Sequence, residues 1–180
     1  MKTFKKRPVI AISSVVISVI LITLGILTAP QTAHAETLGV FGDWTTFKTT
    51  EGGKDICYIG SEPTKSEGDY TNRGDTFLLV THRPAINELN VVSVRAGYKY
   101  KDNSDVNVTI DNANHTMFAL GEMAWARDGE IDRKLVIAMR KGMKMIIRGT
   151  SWRGTVTTDT YSLKGFNKAY KASLTACGLK

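Results

Sequence analysis

The sequence predicts a mainly-β fold, a sandwich or barrel with two short helices, as one domain behind an N-terminal export segment. Two observations carry that prediction. Several short runs alternate apolar and polar residues or are rich in β-branched residues, with turn-forming stretches between them. Only two stretches instead space their apolar residues as a helix does.

Val106-Asn107-Val108-Thr109-Ile110 alternates with period two, Asp111-Asn112-Ala113-Asn114 forms a turn, and Thr116 to Leu120 returns, which predicts a hairpin. Thr76 to Val80 is apolar on both faces, so a central strand covered on each side is expected. Val91 to Ala96, Met143 to Arg148 and Thr155 to Leu163 predict further strands, with turns over Glu62 to Asp75 and Lys101 to Asp105. Ile131, Leu135, Ala138 and Met139 predict a first helix, capped by Asp132 and stopped by Gly142. Its Arg140 and Lys141 suit the negative end of the helix dipole. Phe166, Ala169, Tyr170, Leu174 and Cys177 share one face of a second helix, which Gly178 ends.

Residues 1–35 carry the features of a secretory signal. Lys2, Lys5, Lys6 and Arg7 precede an uncharged run from Val9 to Leu27, and Ala33-His34-Ala35 offers a small-x-small site for cleavage between Ala35 and Glu36. The alternative is retention of residues 9–27 as an inner-membrane anchor, since 19 uncharged residues approach the length that spans a bilayer. Residues 36–180 then form a single exported domain, in the periplasm or outer envelope.

The formal charge of +7 belongs largely to that segment. Without its four basic residues, 20 basic residues face 17 acidic ones, a net +3, so charge gives no reason to expect nucleic acid. A local excess remains from Arg127 to Arg153, with eight basic and three acidic residues. Trp125, Arg127, Arg140, Lys141, Arg148 and Arg153 are therefore the candidate binding surface, suited to an acidic lipid or glycan. A solvated basic face is the plainer alternative.

Cys57 and Cys177 both fall in the exported part, where an oxidising compartment favours pairing. A bridge between them closes a loop of about 120 residues and is worth about 5 kcal/mol as an upper value. Two buried free thiols are the alternative.

Chemical motifs are sparse. His82 lies on a strand face with Leu78 and Val80 and reads as structural, and His115 follows a turn and is expected to be exposed. Neither stands at metal-ligand spacing, and there is no nucleophile elbow, P-loop or dinucleotide fingerprint. No catalytic residue, metal or cofactor is assigned, and the chain is expected not to be an enzyme. Arg73-Gly74-Asp75 spells an adhesive tripeptide but reads as turn chemistry before a strand. Asn107-Val108-Thr109 and Asn114-His115-Thr116 match glycosylation sequons and read as strand and turn residues. Trp44, Trp125 and Trp152 are expected to anchor the core, with a binding surface as the alternative, for which Trp125 beside Arg127 and Asp128 is placed to stack a ligand.

Phe41-Gly42-Asp43-Trp44, Cys57-Tyr58-Ile59, Thr81-His82-Arg83-Pro84, Ala138-Met139-Arg140-Lys141-Gly142, Thr158-Asp159-Thr160-Tyr161-Ser162-Leu163, Gly165-Phe166 and the late Cys177 occur in this order. Together they resemble the invasion-associated locus B family of exported proteins, found mainly in alphaproteobacteria. The resemblance implies an immunoglobulin-like β-sandwich, an envelope location and a link to host-cell invasion. Some relatives carry a further cysteine soon after the Phe-Gly-Asp-Trp motif, and Thr45 to Thr50 here has none, which leaves Cys57 and Cys177 as the intramolecular pair. The expected function is that of a non-enzymatic envelope protein with a host-cell or envelope partner. The alternative is a periplasmic housekeeping or ligand-binding module with no host role. Membrane contact is expected only through an uncleaved signal segment.

Overall fold

A computed structural model describes residues 35–180, which group as one compact unit. The proposed signal segment and anchor lie outside the described residues. Eleven strands and two helices follow in chain order. They are β1 Glu36–Phe41, β2 Trp44–Glu51, β3 Lys54–Ser61, β4 Lys65–Gly68, β5 Phe77–Arg83, β6 Glu88–Arg95, β7 Asp105–Ile110, β8 Ala113–Leu120, β9 Met123–Trp125, α1 Gly129–Lys141, β10 Lys144–Thr150, β11 Val156–Ser162 and α2 Phe166–Ala176.

All strands join one antiparallel sheet in the order β1-β2-β3-β5-β6-β9-β8-β7-β10-β11-β4. The sheet folds over on itself, sandwich-like, so that distant strands meet. Trp44 Nε1 of β2 donates to the Ser162 carbonyl of β11 at 3.0 Å, and only residues 62–64 link β3 to β4 at the sheet's other edge. The enclosed core takes Trp44, Ile59, Leu78 and Val80 from one half and Val106, Val108, Ile147 and Tyr161 from the other. The expected mainly-β class with two helices is the observed one.

That folding depends on two glycines. Gly42 and Gly165 both adopt positive φ, at 62° and 93°, where a side chain is strained. A Cβ on Gly165 would overlap the Phe41 carbonyl, and one on Gly42 would stand 2.6 Å from the Lys164 carbonyl. Their bare backbones let Asp43 N reach the Lys164 carbonyl at 3.1 Å and bring the Trp44 and Phe166 rings edge to face at 4.9 Å.

Several expectations need correction. Asp128, not Asp132, caps α1: its carboxylate accepts from Glu130 N and Ile131 N, both at 2.9 Å. Asp132 is buried one turn further on and accepts from Val92 N at 2.8 Å, so its carboxylate ties α1 to β6. The stretch expected as turn from Glu62 to Asp75 contains β4, whose four residues are all exposed and held by pairing with β11. The central strand β5 is covered on one face only. Leu78, Val80 and His82 point into the core, while Phe77 and Leu79 are half-buried on the other side. His115 is half-buried rather than exposed, with Nε2 sealed from solvent. Of the tryptophans, Trp44 is core, Trp125 is half-buried against Phe118 outside the sheet, and Trp152 is 58% exposed.

Candidate functional site

The half-buried face of β5 is where the site begins. Strand alternation places Phe47 and Thr49 of β2, Ile56, Tyr58 and Gly60 of β3, and Leu79 of β5 on the outer face. Phe47 and Tyr58 are register partners and stack at 5.0 Å, 19° from parallel. In the neighbouring row, Gly60 lies between Thr45 and Leu79 and leaves the sheet without a side chain at that point. The result is a groove of about 740 Å³ with an aromatic wall and an aliphatic floor. Asp43 and Glu62 stand at one end, and Arg83, paired with Glu88 at 3.3 Å, at the other. Burial pushes the Tyr58 hydroxyl above its ordinary value, which keeps it neutral. Such a surface can hold an apolar or aromatic group by burial and stacking. Sequence reasoning missed it because no residue in it bears a chemical motif.

Under the opposite face of β3 and β5, the Cys57–Cys177 disulfide ties β3 to the end of α2, with Cα atoms 5.9 Å apart. His82 is the register partner of Cys57 and is fully buried. Its Nδ1 accepts from Asn90 N at 3.2 Å, and Nε2 faces no partner. Asn90 Oδ1 in turn accepts from the Tyr170 hydroxyl. Neither His82 nor His115 is hydrogen-bonded to a carboxylate.

Burial depresses His82 to about 4 and raises Asp132 to about 6, the latter against the pull of its Val92 hydrogen bond and with help from Asp128. These shifts oppose each other in acid. The unfolded chain protonates His82 first, so stability falls between about pH 6.5 and 4, by roughly 3 kcal/mol in all. The folded chain protonates Asp132 first, so stability rises between about pH 6 and 3.8. Urea unfolding at pH 7 and pH 4 is therefore expected to show His82→Gln gaining stability on acidification relative to the unsubstituted chain, and Asp132→Asn losing it. Parallel pH profiles for all three proteins would refute the pairing.

The six residues of the expected basic surface do not form one patch. Trp125 and Arg127 lie beside the start of β7, where Arg127 pairs with Asp105 at 2.9 Å. Arg140 and Lys141 are at the far end of α1, about 20 Å along the helix. Arg148 stands on the outer face of β10 among Asn107, Thr109 and Thr158, and Arg153 stacks on Trp152 in the following turn at 4.8 Å. The adhesive-looking tripeptide is not presented as one. Arg73 is buried in a two-bonded pair with Asp159, at 2.7 and 2.6 Å.

Comparison with known proteins places this architecture. No curated protein matches the chain. A solved structure, the invasion associated protein B from Bartonella henselae, shares the fold at a TM-score of 0.53 and 15% identity, over 79% of this chain and 96% of that one. The family model described as invasion associated locus B (IalB) protein matches residues 44–174. With Gly42, Trp44 and Phe166 at the fold's closing joint and Cys57 bridged to Cys177, the chain belongs to the invasion-associated locus B family.

Proposed function

We propose that this chain is exported, is cleaved before Glu36, and acts in the bacterial envelope as a binding protein, without catalysis, that contributes to invasion of a host cell. The family description and the name of the Bartonella relative support the link to invasion. The groove on β2, β3 and β5 is the observation that carries a binding role. It offers apolar area and a stacked aromatic pair, and its only charges are at its two ends.

Gly60→Leu tests the groove. The new side chain points into the groove, where its Cβ stands 3.0 Å from the flexible end of Leu79, which must shift by a few tenths of an ångström to admit it. Removing roughly 60 Å² of apolar contact is worth about 1.5 kcal/mol, a tenfold weakening. Binding of the apolar dye anilinonaphthalene sulfonate is expected to weaken by about that factor, and invasion by a strain carrying Gly60→Leu is expected to fall. Unchanged dye binding would remove the groove from consideration.

A second reading, a periplasmic binding module with no host role, is favoured by the burial of Arg73, which withdraws the one receptor-like motif. Protease treatment of intact and osmotically shocked cells separates the two. Digestion on intact cells supports the host-facing role, and protection until shock supports the periplasmic one.

A further inference from the structure

We infer that a basic band made by the end of α1, the turns at 142–143 and 163–165, and the outer side of α2 docks this protein on the surface of an anionic phospholipid bilayer. This surface adjoins the Asp43 end of the groove but shares no lining residue with it, and it does not depend on the function proposed for the groove. Its cations are Arg140, Lys141, Lys144, Lys164, Lys168 and Lys171, all exposed. They come from two stretches of sequence that the fold brings together. Arg140 Nε donates to Asn167 Oδ1 at 3.2 Å, and Asn167 Nδ2 donates back to the Arg140 carbonyl at 2.7 Å. Beside them, Leu163 N donates to the Met143 carbonyl at 2.9 Å, and Lys144 is the register partner of Ser162.

The charge of this band is compensated by no ion pair: among the described residues none of the six cations forms one. From Ser162 to Lys180 the sequence contains no acidic residue. Asp111 adjoins the band and offsets one of its six positive charges, its carboxylate held by the backbone N–H groups of Met143 and Lys144 at 3.1–3.2 Å. Asp43 meets the band through its backbone N–H at Lys164.

Exposed apolar groups within the band select a bilayer over a soluble polyanion. Met143 is 81% exposed between Lys141 and Lys144. An apolar trough of about 480 Å³ between β1 and α2 is lined by Leu38, Phe41, Ala172 and Ala176, with Lys168 and Lys171 at the same place. Lysines that lay their stems along apolar surface and lift their ammonium groups to phosphate suit a lipid interface. A polysaccharide or nucleic acid gains nothing from a protruding methionine.

The test is sedimentation of the protein released from osmotically shocked cells with vesicles of phosphatidylcholine alone or rich in phosphatidylglycerol. Binding is expected only to the anionic vesicles and is expected to fall with salt. Each basic residue near such a surface is worth about fivefold in partition, so a triple variant with Lys164→Gln, Lys168→Gln and Lys171→Gln is expected to lose roughly 100-fold. Met143→Ser is expected to weaken binding severalfold further. Lys65→Gln with Lys99→Gln, two lysines already paired with Glu67 and Asp102, is expected to change little. Among the described residues none of the three substituted lysines donates a side-chain hydrogen bond, so unfolding curves are expected to be unchanged. Equal binding to both vesicle types, or a triple variant that binds like the parent, would overturn the inference. So would binding indifferent to Met143→Ser and fully competed by heparin, which would identify a polyanion site instead.

Discussion

Arg73→Met is expected to destabilise the folded protein by about 3–5 kcal/mol, because it leaves Asp159 buried without its counter-charge. The two side chains are 6% and 4% exposed. Arg73 satisfies both carboxylate oxygens through its guanidinium fork, and its Nε donates to the Ala96 carbonyl at 2.6 Å. The cation also lies over the rings of Tyr98 and Tyr70, at 5.1 and 5.5 Å. Burial alone would lower the guanidinium's proton affinity, but the Asp159 hydrogen bonds and charge outweigh it and hold the group firmly protonated. Arg73→Lys is expected to fall between, since an ammonium cannot reproduce the fork. The pair is nonetheless replaceable: Arg73→Met with Asp159→Leu removes both desolvation costs together and is expected to recover most of the loss. Urea unfolding of the single and double variants checks this, and a double variant no better than Arg73→Met would show that the site is held by something other than charge pairing.

The same pair shows what sequence can and cannot carry. Arg73 and Asp159 are 86 positions apart, and nothing local to either marks the other. The hairpin of β7 and β8 was legible because Val106, Val108 and Ile110 face the core while Asn107 and Thr109 do not. The faces of α2 were legible for the equivalent helical reason. β2 and β3 gave no such contrast. Their inner faces mix Trp44 and Ile59 with Thr46 and Ser61, and their outer faces carry Phe47, Ile56 and Tyr58 because the groove half-buries them. The groove thus erased the alternation that would have announced its strands. The motifs behind the family resemblance turned out to be architectural. Phe41-Gly42-Asp43-Trp44 and Gly165-Phe166 close the sheet on itself, and Asp159 holds Arg73. The basic window from Arg127 to Arg153 captured only part of the band that the fold assembles, because Lys164, Lys168 and Lys171 join it only in three dimensions.

Breaking the disulfide with Cys57→Ser and Cys177→Ser is expected to have the other large effect. Linking residues 120 positions apart removes much of the freedom of the unfolded chain, for a loss of about 5 kcal/mol on the entropy account and 2–5 kcal/mol by the usual range for native bridges. The structure also says where the damage will concentrate. The bridge fastens the last residues of α2 to β3, and little else bonds that end to the sheet: Lys48 Nζ donates to the Ala176 carbonyl at 3.3 Å, whereas Thr46 Oγ1 donates to the Ala169 carbonyl, in the first turn, at 3.2 Å. The start of α2 is held independently by Phe166, packed on Trp44 and Tyr170. Hydrogen exchange in the double serine variant is therefore expected to rise first at Ser173 to Cys177, with protection kept longer at Ala169 and Tyr170. It would also uncover the His82 side of the core, since His82 is the register partner of Cys57. Wetting that face would remove the burial that depresses His82 and would restore its titration towards 6.5. A double serine variant with a lowered unfolding midpoint but a His82 still neutral at pH 5 would mean that packing alone seats α2 and that the bridge only limits the unfolded chain, and an unchanged midpoint would refute the bridge's contribution altogether.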